Sequence, residues 1–90
     1  MNKAIRVHRT GPASVLKWED VTITSPKPGE AIIRNTAIGL NFIDTYHRKG
    51  LYPLPTPFTP GVEGAGVIEA LGTNVEGLKI GDRVTYCSDP

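Results

Sequence analysis

Polar and apolar positions alternate almost from the start of the chain. In residues 3–8, KAIRVH, Ile5 and Val7 share one face while Arg6 and His8 take the other, which predicts a half-buried strand. Residues 15–23, VLKWEDVTI, predict a second strand whose phase changes: Leu16 and Trp18 lie on one face, Val21 and Ile23 on the opposite one. A bulge or bend near residues 19–20 would reconcile the two halves. Between these strands, Gly11 and Pro12 mark a turn over 10–14. Lys27-Pro28-Gly29-Glu30 reads as a type II turn, with proline presetting φ at the second position and glycine supplying a positive φ at the third. The longest strand is predicted over 30–40, EAIIRNTAIGL, where imperfect alternation implies partial cover on both faces.

Residues 41–49, NFIDTYHRK, predict a short helix. Asn41 is a good N-cap, Asp44 follows three residues later in a capping-box-like pair, and Gly50 is a natural stop. Phe42 and Tyr46 are four apart and share a face. Pro53, Pro55, Pro57 and Pro60 then forbid helix and disfavour a central strand, so 51–61 is predicted as an extended surface loop. Two further strands are expected at 66–71 and 83–87, with a turn at Gly81 and Asp82 between them.

Composition narrows this to a mainly β domain. Ten glycines and eight prolines in 90 residues imply short elements punctuated by turns. A chain of this length supports one modest core. With 39% hydrophobic and 21% charged residues and a net charge of +1, it is globular and lacks the basic footprint of a nucleic-acid binder. No apolar run approaches the roughly 20 residues that span a bilayer, and MNKAIRVHR lacks the apolar core of a signal peptide. The single cysteine, Cys87, allows no internal disulfide and fits a reducing compartment, so a cytoplasmic location is expected.

Three segments then acquire a common meaning: GPASVLKWEDV (11–21), AIGLNFIDTYHRKGLYP (37–53) and GVEGAGVIEALGTNVEGLKIGDRV (61–84). On these the chain resembles the N-terminal part of the medium-chain dehydrogenase/reductase superfamily, and within it the zeta-crystallin-like NADPH:quinone oxidoreductases. The likeness covers essentially all of residues 1–90, although members of that family are several times longer. It implies a GroES-like, partly open β-barrel with one short helix, here an incomplete domain without the Rossmann domain. The active site of such enzymes lies in the cleft between the two domains.

Zinc-dependent members of the superfamily carry Gly-His-Glu, two residues, Gly, five residues and a small residue. Gly61, Glu63, Gly66 and Gly72 match, but Val62 stands in the histidine position. Asn41 stands where those members have a cysteine ligand. Valine has no lone pair, and an amide oxygen is a poor partner for an ion that prefers thiolate and imidazole. The resemblance therefore implies the zinc-independent branch, with no metal. GVEGAG is also not a dinucleotide phosphate loop: counted from Gly64, the sixth position of G-x-G-x-x-G is Glu69.

The same resemblance implies roles for individual residues. It places Asn41 at the cleft near nicotinamide and substrate, with Asp44 close behind; each is also a plain helix cap. Tyr46 and Tyr52, with Asn41, are candidate catalytic groups, because a hydrogen bond from phenol or amide can polarise a carbonyl where no metal does. Either tyrosine serves equally well in aromatic packing, Tyr46 with Phe42 and Tyr52 against the proline loop. Phe42 and Ile43 offer an apolar wall suited to a flat quinone ring, or ordinary core. Glu63 corresponds to a glutamate beside the metal in zinc members and is a cleft or loop-bracing residue here. His8 and His47 lack partners at ligand spacing and are expected as solvated surface residues; Cys87 is expected as a small buried residue.

The expectation that follows is the N-terminal substrate-domain fragment of an NADPH-dependent quinone oxidoreductase. Hydride would pass from NADPH to a quinone or similar conjugated carbonyl. The fragment alone is expected to be inactive and the full-length protein to be a homodimer. Rival readings are an enoyl-thioester reductase of the same superfamily, a co-chaperonin of similar barrel type, and a non-enzymatic structural protein. The co-chaperonin is disfavoured because only a few residues separate the first two strands, too few for its mobile loop.

Overall fold

The computed structural model describes residues 2–88 as five strands, one helix and one 3₁₀ turn. In chain order these are β1 (Lys3–Val7), the 3₁₀ turn (Ala13–Val15), β2 (Leu16–Asp20), β3 (Ala31–Ile38), α1 (Phe42–Lys49), β4 (Glu63–Leu71) and β5 (Arg83–Cys87). The mainly β architecture with one short helix is as expected. The described residues fall into two compact units, one made of 2–23, 40–62 and 88, the other of 24–39 and 63–87.

In the first unit β1 and β2 pair antiparallel in an unbroken register from Lys3↔Asp20 to Val7↔Leu16. The predicted bulge near residues 19–20 is absent. The phase change has a different cause: Val15 belongs to the 3₁₀ turn, where it is buried, and the strand ends at Asp20; beyond it only the Val21 N–H still reaches β1's side, donating to the Asn2 carbonyl at 2.9 Å. Lys3 and Asp20 close the open end of the hairpin with an ion pair of 3.3 Å. The core is Val7, Val15 and Phe58, with Leu54 packed against it. Burial of each such side chain contributes about 1.5–3 kcal/mol.

Phe58 shows that the proline loop is more than surface. Its N–H donates to the Val7 carbonyl at 3.1 Å, and the Val7 N–H returns a bond to the Phe58 carbonyl at 2.9 Å. This is one residue pair of an antiparallel strand. On the C-terminal side it extends no further because Pro60, two residues on, has no N–H to give.

The second unit is a three-stranded antiparallel sheet in the order β3-β4-β5. The Lys27–Glu30 turn forms as predicted: Gly29 has φ +80°, and the Glu30 N–H donates to the Lys27 carbonyl at 3.0 Å. The Glu30 carboxylate accepts the Lys27 N–H at 2.9 Å, and Asp82 caps Lys79 in the same way at 3.0 Å. The imperfect alternation of β3 has a physical source, since its register with β4 shifts between Ile32 and Ile33 and again between Asn35 and Ala37. β4 is longer than predicted and begins at Glu63. Its buried positions are Gly64, Gly66 and Ile68. Two of these must lack a side chain. A Cβ on Gly66 would strike the Arg34 carbonyl, and one on Gly64 would lie 2.6 Å from the Tyr86 hydroxyl.

Candidate functional site

The candidate residues Asn41, Phe42, Ile43, Asp44, Tyr46 and Tyr52 all belong to the first unit; Glu63 belongs to the second. In the first unit they are organised by α1. Asn41 is the N-cap, with extended backbone at φ −124° and ψ 156°. Its backbone N–H donates to the Asp44 carboxylate at 2.9 Å, and the Asp44 N–H donates to the Asn41 carbonyl at 3.0 Å. At the other end Gly50 takes the left-handed conformation, φ +88°, and its N–H bonds to the Tyr46 and His47 carbonyls. The predicted helix boundaries hold at both ends. Arg48 then ties the last turn to the loop below, its Nε donating to the Gly11 carbonyl at 3.2 Å.

The faces of this helix run against expectation. Asp44 and His47 are each only 6% exposed, whereas Phe42 is 83% and Ile43 37% exposed. His47 is therefore not the solvated surface residue that its polarity suggested; it lies three residues after Asp44, on the stripe that the helix buries. Three side-chain atoms on this helix are sealed from solvent with no hydrogen-bond partner among the described residues: Asn41 Nδ2, Asp44 Oδ1 and His47 Nδ1. On the outer side, Tyr46 meets Tyr52 edge to face, with ring centroids 5.6 Å apart and an interplanar angle of 87°. Tyr46 thus pairs with Tyr52, not with Phe42. Tyr46 is half-buried and Tyr52 exposed.

Glu63 opens β4 in the second unit, directly opposite Cys87 of β5. Its side chain lies across Gly39, where an added Cβ would collide with the carboxylate. A shallow concavity of about 480 Å³ is lined here by Gly39, Glu63, Gly64, Ala65, Tyr86 and Cys87, among others. Cys87 is exposed, contrary to the expected burial. It ends an edge strand at a position where the alternation of β5 turns outward. The Tyr86 hydroxyl accepts a hydrogen bond from Asn35 Nδ2 at 2.9 Å and sits over Gly64. Neither Tyr86 nor Asn35 stood out in the sequence. The only local signal was the pairing of a strand tyrosine with a glycine run, legible once the register was known.

The donor set has clear chemistry. Val62 offers nothing to a metal, and among the described residues no three His, Cys, Asp or Glu side chains gather to hold one. The outer edge of α1 is different in kind. Apolar Phe42 and Ile43 are exposed there, on the helix that also carries Tyr46 of the Tyr46–Tyr52 pair.

Residues 27–89 match the alcohol dehydrogenase GroES-like domain family. A quinone oxidoreductase of Pseudomonas aeruginosa is 50% identical over 91 residues, covering all of this chain and 28% of that protein. A 2-haloacrylate reductase of Burkholderia sp is 43% identical over 94 residues, again covering the whole chain and 28% of the relative. The structure of an Escherichia coli quinone oxidoreductase complexed with NADPH superposes with a TM-score of 0.93 at 42% identity, over 97% of this chain and 27% of that one. The chain thus spans little more than a quarter of the length of the relatives it matches.

Proposed function

The chain belongs to the alcohol dehydrogenase GroES-like domain family, and on that premise we propose that it forms one wall of the active-site cleft in an NADPH-dependent quinone oxidoreductase. In this reading residues 1–90 are the N-terminal part of the catalytic domain. The observation that carries it is the inverted helix: α1 turns Phe42 and Ile43 outward and buries Asp44 and His47. Exposing apolar side chains while burying a carboxylate and an imidazole is costly. The arrangement makes sense where the outer face meets an apolar, planar ligand. The similarity to quinone oxidoreductases, one of them solved with NADPH, supports a quinone as that ligand and NADPH as the reductant.

When bound, NADPH supplies the hydride. The residues of this chain do the rest. Phe42 and Ile43 pack against the substrate ring and exclude water. Tyr46 and Tyr52 donate hydrogen bonds from their hydroxyls to the oxygen on which negative charge develops. Their edge-to-face contact holds both rings in place before substrate arrives. Asn41 stands at the head of the helix beside the cleft, held by its N–H bond to the Asp44 carboxylate and by the Asp44 N–H on its carbonyl. Because Asn41 Nδ2 is sealed from solvent, the donors in this reading are the phenols of half-buried Tyr46 and exposed Tyr52. Glu63 braces Gly39. No zinc takes part, since Val62 and Asn41 occupy the positions at which a ligand would be needed. The working enzyme is a cytoplasmic homodimer.

A second reading, reduction of a carbon–carbon double bond conjugated to a carboxylate, draws support from the match to 2-haloacrylate reductase. Following NADPH oxidation with simple benzoquinones and with 2-chloroacrylate separates the two. Quinone turnover is expected, and Tyr46→Phe with Tyr52→Phe should lower kcat/KM about 10²-fold, the scale of losing one preorganised donor. Failure to reduce any quinone, or an unaltered double variant, would sink the proposal. Residues 1–90 by themselves should give no turnover, because no G-x-G-x-x-G turn for the pyrophosphate lies among them.

A further inference from the structure

We propose that Asn41, Asp44 and His47 enclose a single buried water molecule on the inner side of α1. Asp44 and His47 are each more than nine-tenths buried, and each keeps one polar atom unpartnered among the described residues, as does Asn41. Native proteins leave few such atoms unsatisfied, and three on one eight-residue helix with its cap call for a common partner.

Helix geometry brings Asp44 and His47 together, and the cap ties Asp44 to Asn41. Asp44 and His47 are three apart, with Cβ atoms about 5–6 Å from each other. Helical side chains lean toward the N-terminus, so the His47 ring covers the turn that holds Asp44. The Asp44 carboxylate is already drawn toward Asn41, because its Oδ2 accepts the Asn41 N–H at 2.9 Å. Its second oxygen is left facing the same stripe. The neighbouring cation that could have paired with it, Arg48, is turned to the Gly11 carbonyl.

The chemistry of the three atoms selects the ligand. Asn41 Nδ2 donates, Asp44 Oδ1 accepts, and His47 Nδ1 does either according to its tautomer. Water, with two donors and two acceptors, satisfies all three at once, and about three bonds is the usual complement of a buried water. A metal ion fits less well: an amide NH₂ is no ligand, and only two donors remain. Such a water makes His47 a positioning residue. It braces the turn whose outer side carries Phe42 and Ile43, and so holds the apolar wall against which the substrate packs. That consequence rests on the proposed function; the water site does not.

The test is a high-resolution crystal structure of the full-length protein, alone and as the His47→Phe variant, which keeps a ring of similar shape without Nδ1. The wild-type protein should show a water within about 2.7–3.2 Å of Asn41 Nδ2, Asp44 Oδ1 and His47 Nδ1. The variant should lose the water or its third contact. A direct Asp44–His47 hydrogen bond, another side chain reaching these atoms, or the lack of any peak between them overturns the site. If the variant does not fold, the wild-type density alone decides. In quinone assays His47→Phe should lower kcat severalfold, with His47→Gln closer to wild type. Equal activity of both variants, with the water seen in the wild type, refutes the positioning role and leaves the water site standing.

Discussion

Replacing Gly66 with alanine tests how closely β3 and β4 approach. An added Cβ would fall on the Arg34 carbonyl oxygen, with the Arg34 carbonyl carbon and the Asn35 Cα each 2.8 Å away. Unstrained carbon contacts lie at about 3.5–4.0 Å, so the backbone of β3 must retreat by roughly 1 Å. It cannot do so freely, because Arg34 and Asn35 are paired with Val67 and Gly66 beside a register shift. The retreat should sacrifice one or two ladder hydrogen bonds at about 1 kcal/mol each. Residual overpacking adds about 1–3 kcal/mol. Against this, alanine restricts the unfolded chain and returns about 0.4–1 kcal/mol. The net loss is about 2–4 kcal/mol, a fall in urea midpoint of about 1–2 M for a small domain.

The control is Gly29→Ala. Nothing lies within 4 Å of a Cβ there, but φ is +80°, so only backbone strain is at issue. That costs about 1–2 kcal/mol. Urea titrations followed by far-UV circular dichroism would rank the two variants. If Gly66→Ala proves no worse than Gly29→Ala, the close approach of the Arg34 carbonyl is wrong, and with it the steric requirement for glycine in this buried strand.

Other substitutions probe the remaining contacts. Phe58→Ala removes the largest member of the first unit's core and should cost about 3–5 kcal/mol by urea denaturation. Asp44→Ala removes the acceptor for the Asn41 N–H and should cost about 1–2 kcal/mol, seen first as faster amide exchange over the opening turn of α1. Glu69→Gln breaks the ion pair with Arg34, whose side chains are 46% and 70% exposed, and should change stability by less than about 1 kcal/mol. Elemental analysis of the dialysed full-length protein should find no stoichiometric zinc.

The elements most legible in the sequence were those set by backbone chemistry. The Lys27–Glu30 turn and the ends of α1 depend on proline, glycine and capping residues acting within a few positions. The local pattern therefore contains the whole cause. β5, an edge strand with clean alternation, was legible for the same reason. Phe58 was not, because its burial depends on a partner fifty-one residues earlier, Val7. The start of β4 was missed because Gly64 and Gly66 weaken any strand signal. They are tolerated where Tyr86 and the Arg34 carbonyl occupy the space that their side chains would need.

The faces of α1 were the hardest to read, and they matter most for function. Period alone sets Phe42 opposite the Asp44–His47 stripe and Ile43 on its flank, but it does not say which side points inward. The usual rule, apolar inside, gives the opposite answer to the one observed. A helix of only eight residues has too little area for its apolar face to dictate orientation. Its two ends do that: the Asn41–Asp44 cap turns Asp44 inward, and Gly50 with the Arg48–Gly11 bond fixes the last turn. His47 follows Asp44 because it lies three residues on. The outward set of Phe42 and Ile43 is thus a consequence of the caps. Removing the cap and truncating the apolar residues should therefore have separable effects. Asp44→Ala should loosen the helix and weaken catalysis together, whereas Phe42→Ala should leave stability within about 0.5 kcal/mol, as expected of an exposed site. If the outer face binds substrate, Phe42→Ala should still raise the KM for quinone. A Phe42→Ala variant that loses stability but keeps its KM would mean that this residue serves the fold, and the inverted helix would no longer argue for a ligand.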